Sequence, residues 1–389
     1  MTKSLLSAPS KPGLGGLLSL AALAVACHTP IASGQPIEET NLRIPLEPAG
    51  MTNLNRLGLS YRMGFNYSAS FHGLGGFSAG NAGMHGLRTP NGDPFNYDNG
   101  YIYADQTTGS AHPGYTWYYG YAAGTPQRPV EAPTEFDLYR SSAPANAASD
   151  KDADNPQNGF ELTYDRQIGR AGPFWWGVEA AFGYTHVDIH DNRPLLEKLT
   201  RTTDTFQTGG GAVLNPAPFE GTFTGPGPND ANGWPLVGLT PAGTSSETFA
   251  GAATITGERE LDAQIFSFRL GPYLDLPLSR RWMVSVSAGL LVLDVLSEFT
   301  FNEVVSINPS DSLVALPGES HHGSVTSSDL LVGGYASGNL SFALSEHVRL
   351  LAGAQFQTTD NFTQSVAGKS AVLNLGQAIF ATIGVSYSF

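Results

Sequence analysis

Apolar and polar residues alternate with a period of two over several separate stretches of this chain, the pattern of strands with one apolar and one polar face. The plainest closes the chain. From 379 to 389, Ile379, Ala381, Ile383, Val385, Tyr387 and Phe389 share one face, and Thr382, Gly384, Ser386 and Ser388 share the other. Residues 57–71 repeat the pattern, with Leu57, Leu59, Tyr61, Met63, Phe65, Tyr67, Ala69 and Phe71 on the apolar side. That length exceeds the roughly 9 to 11 residues a tilted strand needs to cross a bilayer. The same alternation predicts strands near 160–168, 174–188, 261–276, 281–300, 328–343, 347–358 and 372–389, eight in all with the first. Arg166 falls on the apolar phase of its strand and weakens it.

The connections also alternate. Short turns are expected at 169–173, 277–280 and 344–347. Long stretches at 72–159 and 189–260 lose the pattern and fill with Gly, Pro, Asn and Asp. Within the first of these, 101–105 and 115–121 are read as a small aromatic hairpin above the membrane. An even number of strands with short turns at one end and long loops at the other predicts an eight-stranded antiparallel transmembrane β-barrel, both chain ends on the turn side.

Composition agrees with one β-rich body: 46 glycines, 11% aromatic residues and only 14% charged residues in 389. The formal charge of -14 argues against a nucleic-acid partner. No stretch offers about 18 uninterrupted apolar residues, so a membrane crossing would have to use strands. Residues 1–34 read as an export signal, with Lys3 and Lys11, an apolar core at 14–26, and Ala32, Ser33 and Gly34 at a cleavage site. Cleavage before Cys27 would instead give a lipid-anchored chain, although Ala24 stands where Leu is usual. Residues 35–56 are expected to form a tail, and the barrel to occupy 57–389.

An export signal, eight alternating strands, the loop asymmetry and a terminal Phe resemble the small outer-membrane barrels of the outer membrane protein A, X and W type. The resemblance implies residence in the outer membrane among its lipids. It also implies an assembly machinery that reads Tyr387 and Phe389, and loops displayed outside the cell to a surface ligand. It departs from that type in its two long loops and in having no peptidoglycan-binding domain after the barrel. The expected role is structural or interactive; the alternative is a small porin lined by Arg62, Arg269 and Arg349, and the third reading is a lipid-modifying enzyme using His186.

Three sets of residues could carry chemistry. Arg62, Asp165, Glu179, Arg269, Asp275 and Arg349 all fall on polar phases, so a lumen charge network is expected from them. Asp150, Asp152, Asp154 and Glu161 stand at positions 1, 3, 5 and 12 of a calcium-loop pattern, but Asn155 replaces the turn glycine and no flanking helices are evident. His186, His190, His321 and His322 invite a metal or catalytic reading, yet no Ser–His spacing supports it. No cofactor and no enzymatic activity are expected. The outward aromatics Tyr61, Trp176, Trp282, Tyr387 and Phe389 suit the girdle of a membrane barrel; in a soluble β-sandwich they would be core.

Overall fold

The computed structural model describes residues 54–78, 95–102, 114–116, 119–220, 235–307 and 318–389. The export signal and nearly all of the tail expected before residue 57 lie outside these. Among the described residues there is no α-helix, and no helix is long and apolar enough to cross a membrane. The longer strands are β1 (Asn55–Phe65), β2 (Ser68–Leu74), β3 (Glu135–Ser142), β4 (Ala147–Asp152), β5 (Gln157–Ala171), β6 (Phe174–Asp191) and β7 (Leu195–Gln207). They continue with β8 (Gly243–Pro277), β9 (Trp282–Ile307), β10 (Glu319–Ala343), β11 (Val348–Thr358), β12 (Phe362–Val366), β13 (Lys369–Asn374) and β14 (Ala378–Ser388).

Antiparallel pairing runs β1–β5–β6–β8–β9–β10–β11–β14 and returns from β14 to β1, a closed ring without edges. Closure is sealed at the last residue, where Asn55 and Phe389 exchange backbone hydrogen bonds of 3.2 and 2.9 Å. Hairpins at the turn end are tight: Leu278 N–H donates to Trp282 O and Leu344 N–H to Val348 O, both at 2.9 Å. The ring's exterior is apolar. Leu57, Leu59, Phe160, Leu162, Val178, Phe268, Leu270, Val286, Leu290, Val332, Leu340, Leu350, Ile383 and Val385 are all exposed. Water would penalise such a belt and a lipid interior would favour it. Trp176, Trp282, Tyr387 and Phe389 border it at the turn end, Tyr387 stacked between His347 and Phe389.

The structure corrects the expected first strand. The run 57–71 is broken at Asn66, whose φ of +66° is left-handed, and residues beyond it leave the ring. Tyr67, Ala69 and Phe71 keep the apolar phase but are buried, while Leu57, Leu59 and Tyr61 below are exposed. The run 372–389 divides in the same way into β13 and β14. Four neighbouring strands of the ring, β5, β1, β14 and β11, end at one level. Their continuations β4, β2, β13 and β12 form a separate sheet in the same order.

That second sheet packs against the upper parts of β6, β8, β9 and β10, which run on unbroken. The core between them holds Phe71, Leu74, Val187, Ile189, Leu261, Ile265, Leu293, Val295, Phe299, Phe301, Phe362 and Leu373. Phe71 stacks on Phe299 with ring centroids 5.8 Å apart. On β8 the apolar residues change face without a change of register: Phe268 and Leu270 point outward, whereas Leu261, Ala263 and Ile265 point into the core. A barrel below thus becomes a two-sheet sandwich above.

The stretches expected as loops are likewise more ordered. Residues 72–159 contain β3, β4 and the short strand Gln127–Arg128, and 189–260 contain β7 and the first part of β8; β7, β3 and Gln127–Arg128 extend the main sheet beyond the ring to 11 strands among the described residues. Among the described residues of the aromatic hairpin, Gly100–Ile102 pairs with Tyr119–Tyr121 away from the ring. It helps build a second core of Tyr97, Ile102, Tyr119, Tyr121, Phe136, Leu138 and Phe206.

Candidate functional site

Inward positions of the lower ring alternate small residues with charged ones, and the small ones leave room for long side chains. Gly183 illustrates this, since a Cβ there would strike the Arg62 guanidinium and Ser267 Oγ. Arg62 lies with its guanidinium 3.5 Å from the centre of the Phe380 ring, donates to Glu161 at 3.2 Å, and is 1% exposed. Arg269 donates to Glu161 at 2.6 Å and to Glu179 at 3.0 Å, and lies over Tyr335. Arg56 bridges Asp165 at 2.7 Å and Asp275 at 3.1 Å. Ser287 donates to Glu179 at 3.0 Å. Arg349 is buried but makes no ion pair among the described residues; its Nη1 lies 4.0 Å from Met283 Sδ.

The interior therefore holds all six residues expected as a lumen network, together with two that the pattern assigned elsewhere. Arg56 belongs to the expected tail 35–56, yet it sits on β1 in phase with Ser60 and Arg62. Glu161 is the last position of the calcium pattern, yet it is the link between Arg62 and Arg269. Four arginines now face four carboxylates, so the network is neutral by count. The cavity left among them measures about 50 Å³, room for a few waters.

The calcium reading is corrected by the same geometry. Asp150 and Asp152 stand on β4, Asp154 is ion-paired with Lys151 just beyond it, and Glu161 is engaged inside the barrel. Sequence spacing places these acids close along the chain, but strand alternation turns Glu161 inward.

Above the ring, a polar seam ties the two sheets together. Asp191 accepts hydrogen bonds from Arg193 and Ser149. Burial pushes its carboxyl up, but these bonds outweigh burial and hold it at about 2. Lys369 pairs with Glu303 and donates to the carbonyls of Gly73 and Gly75 at 3.1 and 3.0 Å. Glu197 accepts the Gly76 N–H at 3.4 Å, and burial raises its pKa. On the outer face, His186 lies 2.8 Å from Asp262, and His190 lies 3.0 Å from Asp188 and 3.5 Å from Glu260 and Glu258. His321 meets the Gly76 carbonyl at 2.9 Å.

No family model matches the chain, and no curated protein matches it. Solved structures that align with the chain include the attachment invasion locus protein Ail of Yersinia pestis, at 10% identity over 87% of this chain and 100% of that one, with a TM-score of 0.25. The outer membrane protease OmpT of Escherichia coli is 7% identical over 87% and 97%, with a TM-score of 0.31. A FadL homologue of Pseudomonas aeruginosa is 8% identical over 88% and 92%, with a TM-score of 0.18. Likeness at this level says nothing of activity, substrate or partner.

Proposed function

We propose that the chain is an eight-stranded outer-membrane β-barrel with a sealed lumen, and that its role is structural or interactive. One observation carries this reading: the interior is filled twice, first by a neutral network of buried ion pairs and then by the apolar core between the two upper sheets. An ion entering from above would have to cross Phe71, Phe299 and Phe301, and from below the packed guanidinium groups. Solvating an ion in either zone is costly.

The lipid-facing belt, the aromatic border at the turn end and the short turns there support residence in the outer membrane, with the sandwich and the aromatic lobe outside the cell. Tyr387 and Phe389 serve as the assembly signal, because they close the ring against β1. The displayed upper body is the part available to a surface ligand. The test is single-channel recording in a planar bilayer, with protein shown to be folded by heat-dependent gel migration. Silence is expected. Discrete, reproducible current steps would refute the sealed lumen and make the chain a porin.

A further inference from the structure

We propose that the outer face of the upper wall carries a site for a borderline divalent transition metal of the zinc, nickel and copper(II) class, held by Asp188, His190 and Glu260. The first two lie on β6 and the third on the hydrogen-bonded neighbour β8, where His190 stands directly opposite Glu260. Two paired strands fix these side-chain roots before any ion arrives.

The donor atoms converge closely enough to share one ion. His190 Nε2 is 3.0 Å from Asp188 Oδ1 and 3.5 Å from Glu260 Oε1, and one donor atom from each of the three residues lies within 4.8 Å of the others. Ligands about 2.0 to 2.2 Å from a tetrahedral zinc stand about 3.3 to 3.6 Å apart. A proton on Nε2 can serve one carboxylate fully; a metal there would serve both and the imidazole as well.

The surroundings suit that ion. His190 Nδ1 faces Glu258 Oε1 at 3.5 Å, the arrangement in which a carboxylate orients a metal-bound imidazole. Asp188 stands opposite Asp262, and like charges directly opposed across two strands are destabilising unless a cation offsets them. His186 answers Asp262, leaving Asp188 to the proposed ion. A cleft of about 250 Å³, bordered by Asp154 and Gln157, opens beside His190 and gives water or an incoming donor access to a fourth position. The imidazole argues against calcium or magnesium, which take oxygen ligands.

The experiment is calorimetric titration of untagged, chelator-stripped, detergent-folded protein with ZnCl₂, NiCl₂ and CaCl₂. Saturable 1:1 binding of zinc or nickel is expected, with calcium markedly weaker. His190→Ala should weaken zinc binding by at least about tenfold, and Glu258→Gln by about tenfold through loss of orientation. His321→Ala, on another wall, should leave it unchanged. Because His190 is exposed, its variant is expected to fold, and retained heat-dependent migration verifies this. Non-saturable zinc uptake would overturn the proposal. So would calcium binding of equal strength, or zinc binding indifferent to His190→Ala, either of which would make the patch an ordinary acidic surface.

Discussion

Replacing Arg269 tests whether the lumen network is held by specific pairs or loosely solvated. Arg269 is 4% exposed and contacts both Glu161 and Glu179. In Arg269→Met, Glu161 keeps Arg62, but Glu179 retains only neutral donors, Ser287 at 3.0 Å and Tyr335 at 3.4 Å. Removing one partner of a buried pair costs about 3 to 5 kcal/mol, mostly through the charge left behind. In Arg269→Met/Glu179→Met the remaining charges balance again, Arg56, Arg62 and Arg349 against Glu161, Asp165 and Asp275. The double variant should therefore lie within about 1 kcal/mol of the parent. The assay is reversible urea unfolding in lipid vesicles followed by tryptophan fluorescence. A loss below about 1 kcal/mol in the single variant would refute the reasoning, as would a double variant less stable than the single. Either result would mean that water in the lumen solvates Glu179.

Other outcomes follow from the upper body and the ring closure. Phe71→Ala removes a ring stacked on Phe299 in a closed core and should cost about 3 to 5 kcal/mol by the same unfolding assay. Asp191 is held at about 2, below its ordinary range, so its contribution is fully present above about pH 4 and lost as pH falls through 2. Asp191→Asn should accordingly lower the urea midpoint at pH 7 and leave it nearly unchanged at pH 2. Glu197 is shifted the other way by burial, so its contribution is present when protonated and is lost as pH rises through its folded pKa. Glu197→Gln should raise the midpoint at alkaline pH and have little effect under acid. Phe389→Ala should slow insertion into vesicles, measured by the time course of the heat-modifiable band, while leaving the backbone pairing with Asn55 intact.

Much of the lower barrel was legible because one face of each strand must satisfy lipid. That requirement writes a period of two into Leu57, Leu59 and Tyr61 and again into Ile383, Val385 and Tyr387. The upper body was not, for a physical reason. Where β8 leaves the belt, its inward face becomes apolar at Leu261, Ala263 and Ile265 while its outward face carries Gln264, Asp262 and Glu260. The alternation survives with its meaning reversed, and farther up, through the Thr and Ser of 244–248, both faces are polar. Asn66 marks the equivalent change on the first strand. Its left-handed φ is a tertiary choice that the Tyr67 to Phe71 pattern does not disclose. Arg56 and Glu161 were recoverable from phase alone; the opposition of His190 and Glu260 was not, because it depends on the pairing of β6 with the part of β8 that lies before the expected strand.

The split of four strands at one level gives the proposed sealed lumen a closure built from the barrel's own strands. A ring of this size keeps its inner walls far enough apart that long side chains must fill the space, hence the arginines. Once β5, β1, β14 and β11 end and their continuations form a sheet of their own, the opposing walls can pack as a sandwich, with their apolar residues in direct contact. The charged zone and the apolar zone are then two cores stacked along one axis, the first held by pairing and the second by burial. Disrupting Arg269 should weaken the first without creating a path through the second. A conducting state would require damage to both.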